Sequence, residues 1–333
     1  MGEEGGIMIW FFFRPFSSCF QVQMLIFVAV LAMCLTSLTG NATIGLVVQA
    51  NHSLHTPMYF FLANLAVVEI FHTSASAPLA LANLLSMGKT PISLPGCGTQ
   101  MFFFVFLGGA DSVLSAVMAF GYPPRYTLRM SRHLCRQLTV GSLVLGFMLS
   151  LPLTMLVFRL PFCHSNEIYH FYCDMPAVMC LARTDTHTHE TALYVISFIV
   201  LMIPLVFISI SYVYIVAAIL QIQSAEGRRR AFSTCSSHIT VVLLQYGCTS
   251  FIYLSPSSSY SPEMGRVVSV VYTFITPILN PLIYSMRNKE LKDALQRTLG
   301  KLHILEEEII QGSKAKGREF CLPNHWLYNG LDR

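Results

Sequence analysis

The chain has 333 residues, of which 54% are hydrophobic and only 11% are charged, and its mean hydropathy is +0.57. About a quarter of the residues would be charged in a soluble domain. The composition therefore excludes an ordinary soluble domain and indicates an integral membrane protein. The net charge of +4 is interpreted as a topology signal and not as evidence for nucleic-acid binding.

Seven apolar stretches are long enough to cross a bilayer as helices, since the hydrocarbon core needs about 20 residues. They cover residues 22–48, 58–85, 99–121, 138–158, 192–220, 235–254 and 267–285. The predicted fold is an all-α membrane protein, a seven-transmembrane helix bundle. An N-terminal segment, residues 1–21, precedes the bundle. The tail, residues 286–333, is expected to begin with a short amphipathic eighth helix over about 289–299.

The basic residues near the ends of the spans predict the orientation. Twelve Lys and Arg residues fall on the side of the tail and five on the other side. Cytoplasmic loops carry an excess of basic residues. The N-terminal segment is therefore predicted to be extracellular and the tail cytoplasmic.

Polar residues inside the spans are the first candidates for function. Glu69 in the second span and Asp111 in the third lie near mid-membrane, where a charged side chain costs about 3 kcal/mol if it faces lipid. Both are predicted to face the bundle interior and to share a partner. In the seventh span, Asn280-Pro281 is predicted to break the helix at a point where a polar side chain re-bonds the freed backbone.

The segment that opens the second span, Leu54 to Leu62, reads Leu-His-Thr-Pro-Met-Tyr-Phe-Phe-Leu and resembles the olfactory receptors, a branch of the rhodopsin-like G-protein-coupled receptors. The resemblance extends over about residues 16–300. Further matching motifs are Gly40-Asn41, Met118-Ala119-Phe120, Ser211-Tyr212, Ala231 to His238, and Pro277 to Glu290.

The resemblance implies a non-enzymatic receptor in the plasma membrane, with the cilia of olfactory sensory neurons as the expected location. The implied partners are a small volatile odorant, a stimulatory olfactory-type G protein, membrane lipids and receptor-trafficking chaperones, with no nucleic acid.

The resemblance also implies a polar switch cluster of Glu69, Asp111, Asn280, Tyr212 and Tyr284. A sodium ion is expected near Glu69 and Asp111. The alternative is that one acid is protonated and hydrogen-bonded to the backbone, as buried carboxyls can be.

Cysteines in the outer loops are expected to form disulfides. The resemblance implies a bond between Cys97 and Cys173. A second pair, Cys163 with Cys180, is left open against a free thiol at one of them. The spacing from His170 to Asp174 is that of a weak metal-ligand set, but it is interpreted as solvated loop histidines, and no metal is expected.

A ligand pocket is expected in the outer half of the bundle, between the third, fifth, sixth and seventh spans. Carried over by position, the candidates are Phe104, Val105, Gly108, Gly109, Ile196, Val200, Thr249, Tyr253, Val270 and Thr273. Their chemistry, without fixed charge, favours a small and mostly apolar ligand. Gly108 and Gly109 are alternatively close-packing residues between helices.

The chain departs from the family pattern at the end of the third span. Met118-Ala119-Phe120 runs directly into Gly121-Tyr122-Pro123-Pro124, so that about six residues, including the Asp-Arg-Tyr motif, are missing. The first functional hypothesis is an odorant receptor that signals through a stimulatory G protein. The alternative is a degenerate member of the family with impaired trafficking or G-protein coupling.

Overall fold

The computed structural model describes residues 10–121, 130–162, 166–182, 186–255, 261–287, 290–298 and 300. The long helices are α1 (Phe20–Ala50), α2 (Pro57–Leu85), α3 (Leu94–Gly121), α4 (Arg132–Phe158), α6 (His187–Leu220) and α7 (Ala225–Tyr253). The last span consists of α8 (Pro262–Val270), a π-helical turn (Val271–Ile275) and α9 (Thr276–Arg287). The short helix α5 (Met175–Met179) lies in the loop between α4 and α6, and residues 290–298 form a final helix, α10.

Within this part of the chain, six helical stretches are long and apolar enough to cross a membrane, and α7 contributes a shorter apolar part, Ile239–Tyr253. These seven stretches confirm the predicted all-helical membrane bundle. Helices α4 and α7 begin before their apolar stretches because Ser131 and Ser224 cap them, each accepting a backbone hydrogen bond through its hydroxyl oxygen.

The predicted helix break at Asn280-Pro281 is wrong, because α9 continues through Pro281. The predicted hydrogen bond from a polar side chain to the freed backbone carbonyl is present. A proline cannot donate to the carbonyl four residues earlier, here that of Pro277, and the side-chain amide of Asn41 in α1 donates to this carbonyl at 3.2 Å. The irregular geometry lies one turn earlier, in the π-helical turn Val271–Ile275, just before Pro277.

The segment before α1 forms a β-strand, which the sequence had not indicated. Strand β1 (Trp10–Phe13) pairs antiparallel with β2 (Pro91–Ser93) and parallel with β3 (Glu167–Ile168), so the sheet order is β2-β1-β3. Side chains alternate along a strand, and Phe11 and Phe13 are fully buried in the outer core while Trp10 and Phe12 are exposed. The N-terminal segment thus joins the two outer loops into one cap.

Helix α10 docks on the opposite end of the bundle. Leu291 and Ala294 are buried in the inner core cluster. The hydroxyl of Tyr59 donates to Glu290 at 3.0 Å, and the side-chain amide of Asn51 donates to the hydroxyl of Thr298 at 3.1 Å. These contacts place the helix against α1 and α2.

Candidate functional site

A cavity of about 120 Å³ lies in the outer half of the bundle, between α2, α3, α4, α6, α7 and the last span. Seven of the ten candidates that the sequence proposed line this cavity: Phe104, Val105, Gly108, Gly109, Val200, Thr249 and Tyr253. Its volume is below the range of about 300–1,000 Å³ that drug-sized ligands need. The cavity as it stands therefore admits only ligands smaller than a drug-sized molecule.

The other three candidates lie elsewhere. Ile196 packs against the outer core cluster, and Val270 packs against the aromatic cluster that includes Phe104 and Tyr172. Thr273 is fully buried and does not line the cavity. For Val270 and Thr273, positional transfer was inaccurate because the π-helical turn, which contains Thr273, changes the direction of the side chains around it. The position of Ile196, in the regular helix α6, has no such explanation.

Gly108 and Gly109 differ in what surrounds them. A Cβ atom on Gly108 would lie 3.9 Å from Nε2 of His72, in ordinary van der Waals contact. A Cβ atom on Gly109 would lie 3.5 Å from the Cα atom of Gly146 in α4. Both glycines line the cavity, and Gly109 also sits at the close contact between α3 and α4.

The expectation of a site without fixed charge is wrong at the floor of the cavity. Glu69 and Asp111 both line it, together with Gln245. Asn280 donates a hydrogen bond to Oε1 of Glu69, and Gln245 donates one to Oδ2 of Asp111. The other carboxylate oxygens, Oε2 of Glu69 and Oδ1 of Asp111, are buried and have no hydrogen-bond partner among the described residues.

His72 is the functional candidate that the sequence reasoning missed. Its ring packs on Phe104 with 4.5 Å between ring centroids, and its buried Nε2 atom has no hydrogen-bond partner among the described residues. His72 follows Glu69 by three residues and therefore shares its helix face. Because Glu69 was predicted to face the interior, the three-residue spacing was a signal that would have placed His72 there as well.

The second outer loop forms the roof of the cavity. A disulfide joins Cys97 to Cys173, with 5.5 Å between the Cα atoms. Beside it, the side chain of Gln100 accepts a hydrogen bond from the backbone amide of Cys173 and donates one to the carbonyl of Ala75, each at 3.1 Å. This glutamine fixes the loop to α2 and α3 together.

Polar contacts attach the same loop to the sixth and seventh spans. The hydroxyl of Tyr253 donates to Oδ1 of Asp174 at 2.7 Å, and Tyr172 and Tyr272 share a hydrogen bond between their hydroxyls. Burial raises the pKa of Asp174 to about 6, although hydrogen bonds from Tyr253 and the amide of Met175 act in the other direction. Burial likewise raises the pKa of Tyr172.

The interpretation of His170 as a solvated loop residue is wrong. The side chain is fully buried, and Nε2 shares a 3.0 Å hydrogen bond with the hydroxyl of Ser269. Burial first, and the positive charge of Arg266 second, lower the pKa of His170 to about 3. The 3.9 Å separation from Oδ2 of Asp174 is therefore not an ion pair at neutral pH.

The remaining predicted residues are placed as follows. Tyr212 packs between two apolar clusters of α6 and α7, while the side chain of Tyr284 lies outside the described part of the chain. Cys180 carries an exposed free thiol, and Cys163 lies outside the described residues. The pairing of these two cysteines stays a prediction.

The fold and the site define a seven-helix receptor of the rhodopsin type. The crystal structure of squid rhodopsin superimposes with a TM-score of 0.61 at 15% sequence identity, covering 86% of this chain and 87% of that one. The sequence model of the family described as olfactory receptor matches residues 29–301. The chain belongs to the olfactory receptor family, a class of non-enzymatic receptors.

Among individual relatives, human olfactory receptor 10V1 is 76% identical over 297 residues, which cover 87% of this chain and 96% of that protein. Human olfactory receptor 10Q1 is 52% identical over 87% of this chain and 92% of its own length. Mouse olfactory receptor 10J5 is 44% identical over 88% and 96%, respectively.

Proposed function

We propose that this receptor binds a small volatile odorant in the cavity beneath the second outer loop and signals through a stimulatory heterotrimeric G protein. The observation that carries the proposal is the cavity of about 120 Å³ beneath the second outer loop, lined mostly by aromatic and aliphatic side chains of the spans. Burial of an apolar ligand there contributes about 25 cal/mol per Å² of apolar surface.

The polar atoms of the cavity favour an odorant with an apolar body and one hydrogen-bonding group. Nε2 of His72 and the hydroxyls of Thr249 and Tyr253 line the same space. A buried nitrogen without a partner carries a desolvation penalty of about 1–3 kcal/mol, which a ligand hydroxyl or carbonyl at His72 would offset. An alcohol, phenol or ketone fits this arrangement better than the hydrocarbon of the same skeleton.

Ligand and G protein act on opposite ends of α7. Gln245 and Thr249 line the cavity, and the hydroxyl of the adjacent Tyr246 donates to the carbonyl of Ser112 in α3 at 3.3 Å. An odorant that favours one arrangement of α3 and α7 favours the G-protein complex of that arrangement, and the G protein in turn raises the affinity for the odorant.

The coupling end is where this chain departs from its family. Helix α3 ends at Gly121, and residues 122–129 lie outside the described part. The comparisons give no support to the alternative of a degenerate receptor. We therefore propose that the receptor couples to a G protein. We also propose that it resides in the plasma membrane of olfactory cilia and that trafficking chaperones are among its partners.

We also propose a sodium ion between Glu69 and Asp111. The two buried carboxylate oxygens without a partner have the chemistry of ligands for hard cations. An ion there would offset the repulsion between two buried acids. In the purified receptor, sodium but not choline is expected to raise the melting temperature, and Asp111→Asn is expected to remove this difference.

The test of the proposed function is cAMP accumulation in cells that express the chain, with a broad odorant panel and surface labelling. A second version carries Asp-Arg-Tyr-Leu-Ala-Ile-Cys inserted after Phe120. A response of the unmodified chain supports the proposal. If both versions reach the surface and only the restored one responds, the receptor binds odorants but does not couple, and the signalling part of the proposal is wrong.

A further inference from the structure

Two cavities adjoin on the flank of the bundle between α2 and α4, and of the described residues only Val68 lines both this flank and the odorant cavity. The first, of about 610 Å³, lies at the cytosolic end, and the second, of about 520 Å³, extends toward mid-membrane. Asn64 and Val67 line both of them. The two cavities therefore form one continuous groove, which we call the α2–α4 groove.

The part of the groove that extends toward mid-membrane has the length and surface of a site for an acyl chain. It follows α2 from Asn64 to Ala75, a distance of about 16 Å at 1.5 Å per residue. One leaflet contributes about 15 Å of hydrocarbon. Val67, Phe71 and Phe103 line this part with 47%, 60% and 45% of their surface exposed, so the groove is open toward lipid.

The cytosolic mouth of the groove is basic. Arg132 and Arg136 are exposed and line it together with His55, whereas no carboxylate is among its described lining residues. Both arginines lie in the first turns of α4, where the helix dipole is positive and no acidic residue is present. Cations at this end of a helix are unfavourable unless an anion accompanies them.

We propose that the α2–α4 groove binds an anionic phospholipid of the cytosolic leaflet, with its phosphate at Arg132 and Arg136 and one acyl chain along α2. The cytoplasmic leaflet supplies anionic lipids, and each basic side chain near the surface contributes about fivefold to their affinity. A sterol would not use the charges at the mouth. Arg132 and Arg136, which would hold the phosphate, do not line the odorant cavity.

The probe is phosphatidylserine in competition with phosphatidylcholine of the same acyl chains, added to the purified full-length receptor in detergent. Lipids that stay bound are counted by native mass spectrometry. Wild type is expected to retain phosphatidylserine about 25-fold over phosphatidylcholine, the product of the two arginine contributions. Arg132→Gln/Arg136→Gln should reduce this preference to near unity, while Arg132→Lys/Arg136→Lys should preserve most of it.

Two control variants separate the groove from the rest of the surface. Arg228→Gln/Arg229→Gln removes the same charge elsewhere on the cytosolic face and should leave the preference unchanged. Val67→Trp fills the groove and should reduce retention of both lipids, whereas Val144→Trp, on an exposed α4 side chain with 50% exposure that lines neither cavity, should not.

Three outcomes would overturn the proposal. The preference for phosphatidylserine could survive Arg132→Gln/Arg136→Gln, or it could fall equally in Arg228→Gln/Arg229→Gln, which would show diffuse attraction to the whole face. Cholesterol, added as a third competitor, could displace both phospholipids irrespective of the arginines. If the glutamine pair does not fold, the lysine pair and the two tryptophan variants decide the question by the same counts.

Discussion

At the scale of single residues, the proposed function predicts that His72 selects among odorants by a hydrogen bond. Its unpartnered Nε2 atom faces the cavity opposite Gly108. His72→Phe keeps the aromatic packing on Phe104 but removes the hydrogen bond. We expect it to weaken the response to an alcohol about tenfold or more and to leave the response to the matched hydrocarbon unchanged, as measured by cAMP dose–response curves. Equal losses for both odorants would contradict this role.

Asp174 gives the cap a pH dependence whose sign follows from its raised pKa. Burial raises the pKa to about 6, so the folded receptor binds this proton more tightly than the unfolded chain. The resulting stability is fully present below the unfolded pKa of about 4 and is lost as the pH rises through about 6. Asp174→Asn keeps the oxygen that accepts from Tyr253 but does not titrate.

The measurement is thermal unfolding of wild type and Asp174→Asn between about pH 7.5 and pH 5. We expect wild type to gain about 1–2 kcal/mol relative to the variant over this range. His170, whose pKa is lowered to about 3, produces the opposite trend and lies 3.9 Å from Oδ2 of Asp174, so both proteins are compared in a His170→Gln background. A difference that stays constant with pH would show that Asp174 does not titrate there.

At the scale of elements, strand β1 provides the firmest contact between the N-terminal segment and the bundle. Phe11 and Phe13 are 0% and 1% exposed, whereas Phe12 is 37% exposed. We expect Phe13→Ala to destabilise the receptor by about 3–5 kcal/mol and Phe12→Ala by less than about 0.5 kcal/mol. Thermal unfolding of both variants checks this, and equal effects would mean that the strand does not pack as described.

Helices α3 and α4 approach closely enough to require glycine at one position. A Cβ atom on Gly146 would lie 2.7 Å from the carbonyl oxygen of Phe106, whereas Gly141 on the same helix has open space around it. We expect Gly146→Ala to lower the free energy of unfolding by about 1–3 kcal/mol. Gly141→Ala should be neutral or stabilising by up to about 1 kcal/mol. A neutral Gly146→Ala would contradict this packing.

The spans could be predicted from the sequence because every helix that crosses a bilayer needs about 20 consecutive, mostly apolar residues. Strand β1 could not, since its four aromatic residues show no polar–apolar alternation in the sequence and pair with two distant loops. The pattern of apolar residues likewise does not indicate the π-helical turn before Pro277. This turn explains why Val270 and Thr273 were assigned to the cavity by position while Thr249 and Tyr253, on the regular helix α7, were placed there correctly.

At the scale of the whole molecule, the site consists of a cavity and of the contacts that form a frame around it. The disulfide at Cys97, the bridge by Gln100 and the contact of Asn41 with Pro277 hold the spans and the loop in place. The resemblance to the family implied the disulfide, and the repair near Pro281 was predicted without its partner Asn41, but the bridge by Gln100 was not predicted. The interior position of Asp111 was predicted from the sequence, whereas the imidazole of His72 was recognised only in the structure.

The central claim is that an odorant in the cavity beneath the second outer loop activates this receptor. The most direct test compares the cAMP response to the odorant panel for wild type, Gly108→Leu, which fills the cavity, and Gly247→Leu, which adds the same side chain where nothing lies within 4 Å. The account predicts a response that Gly108→Leu abolishes at unchanged surface level and Gly247→Leu retains. A response that survives Gly108→Leu, or no response from either the chain or its version with the restored segment, would contradict it.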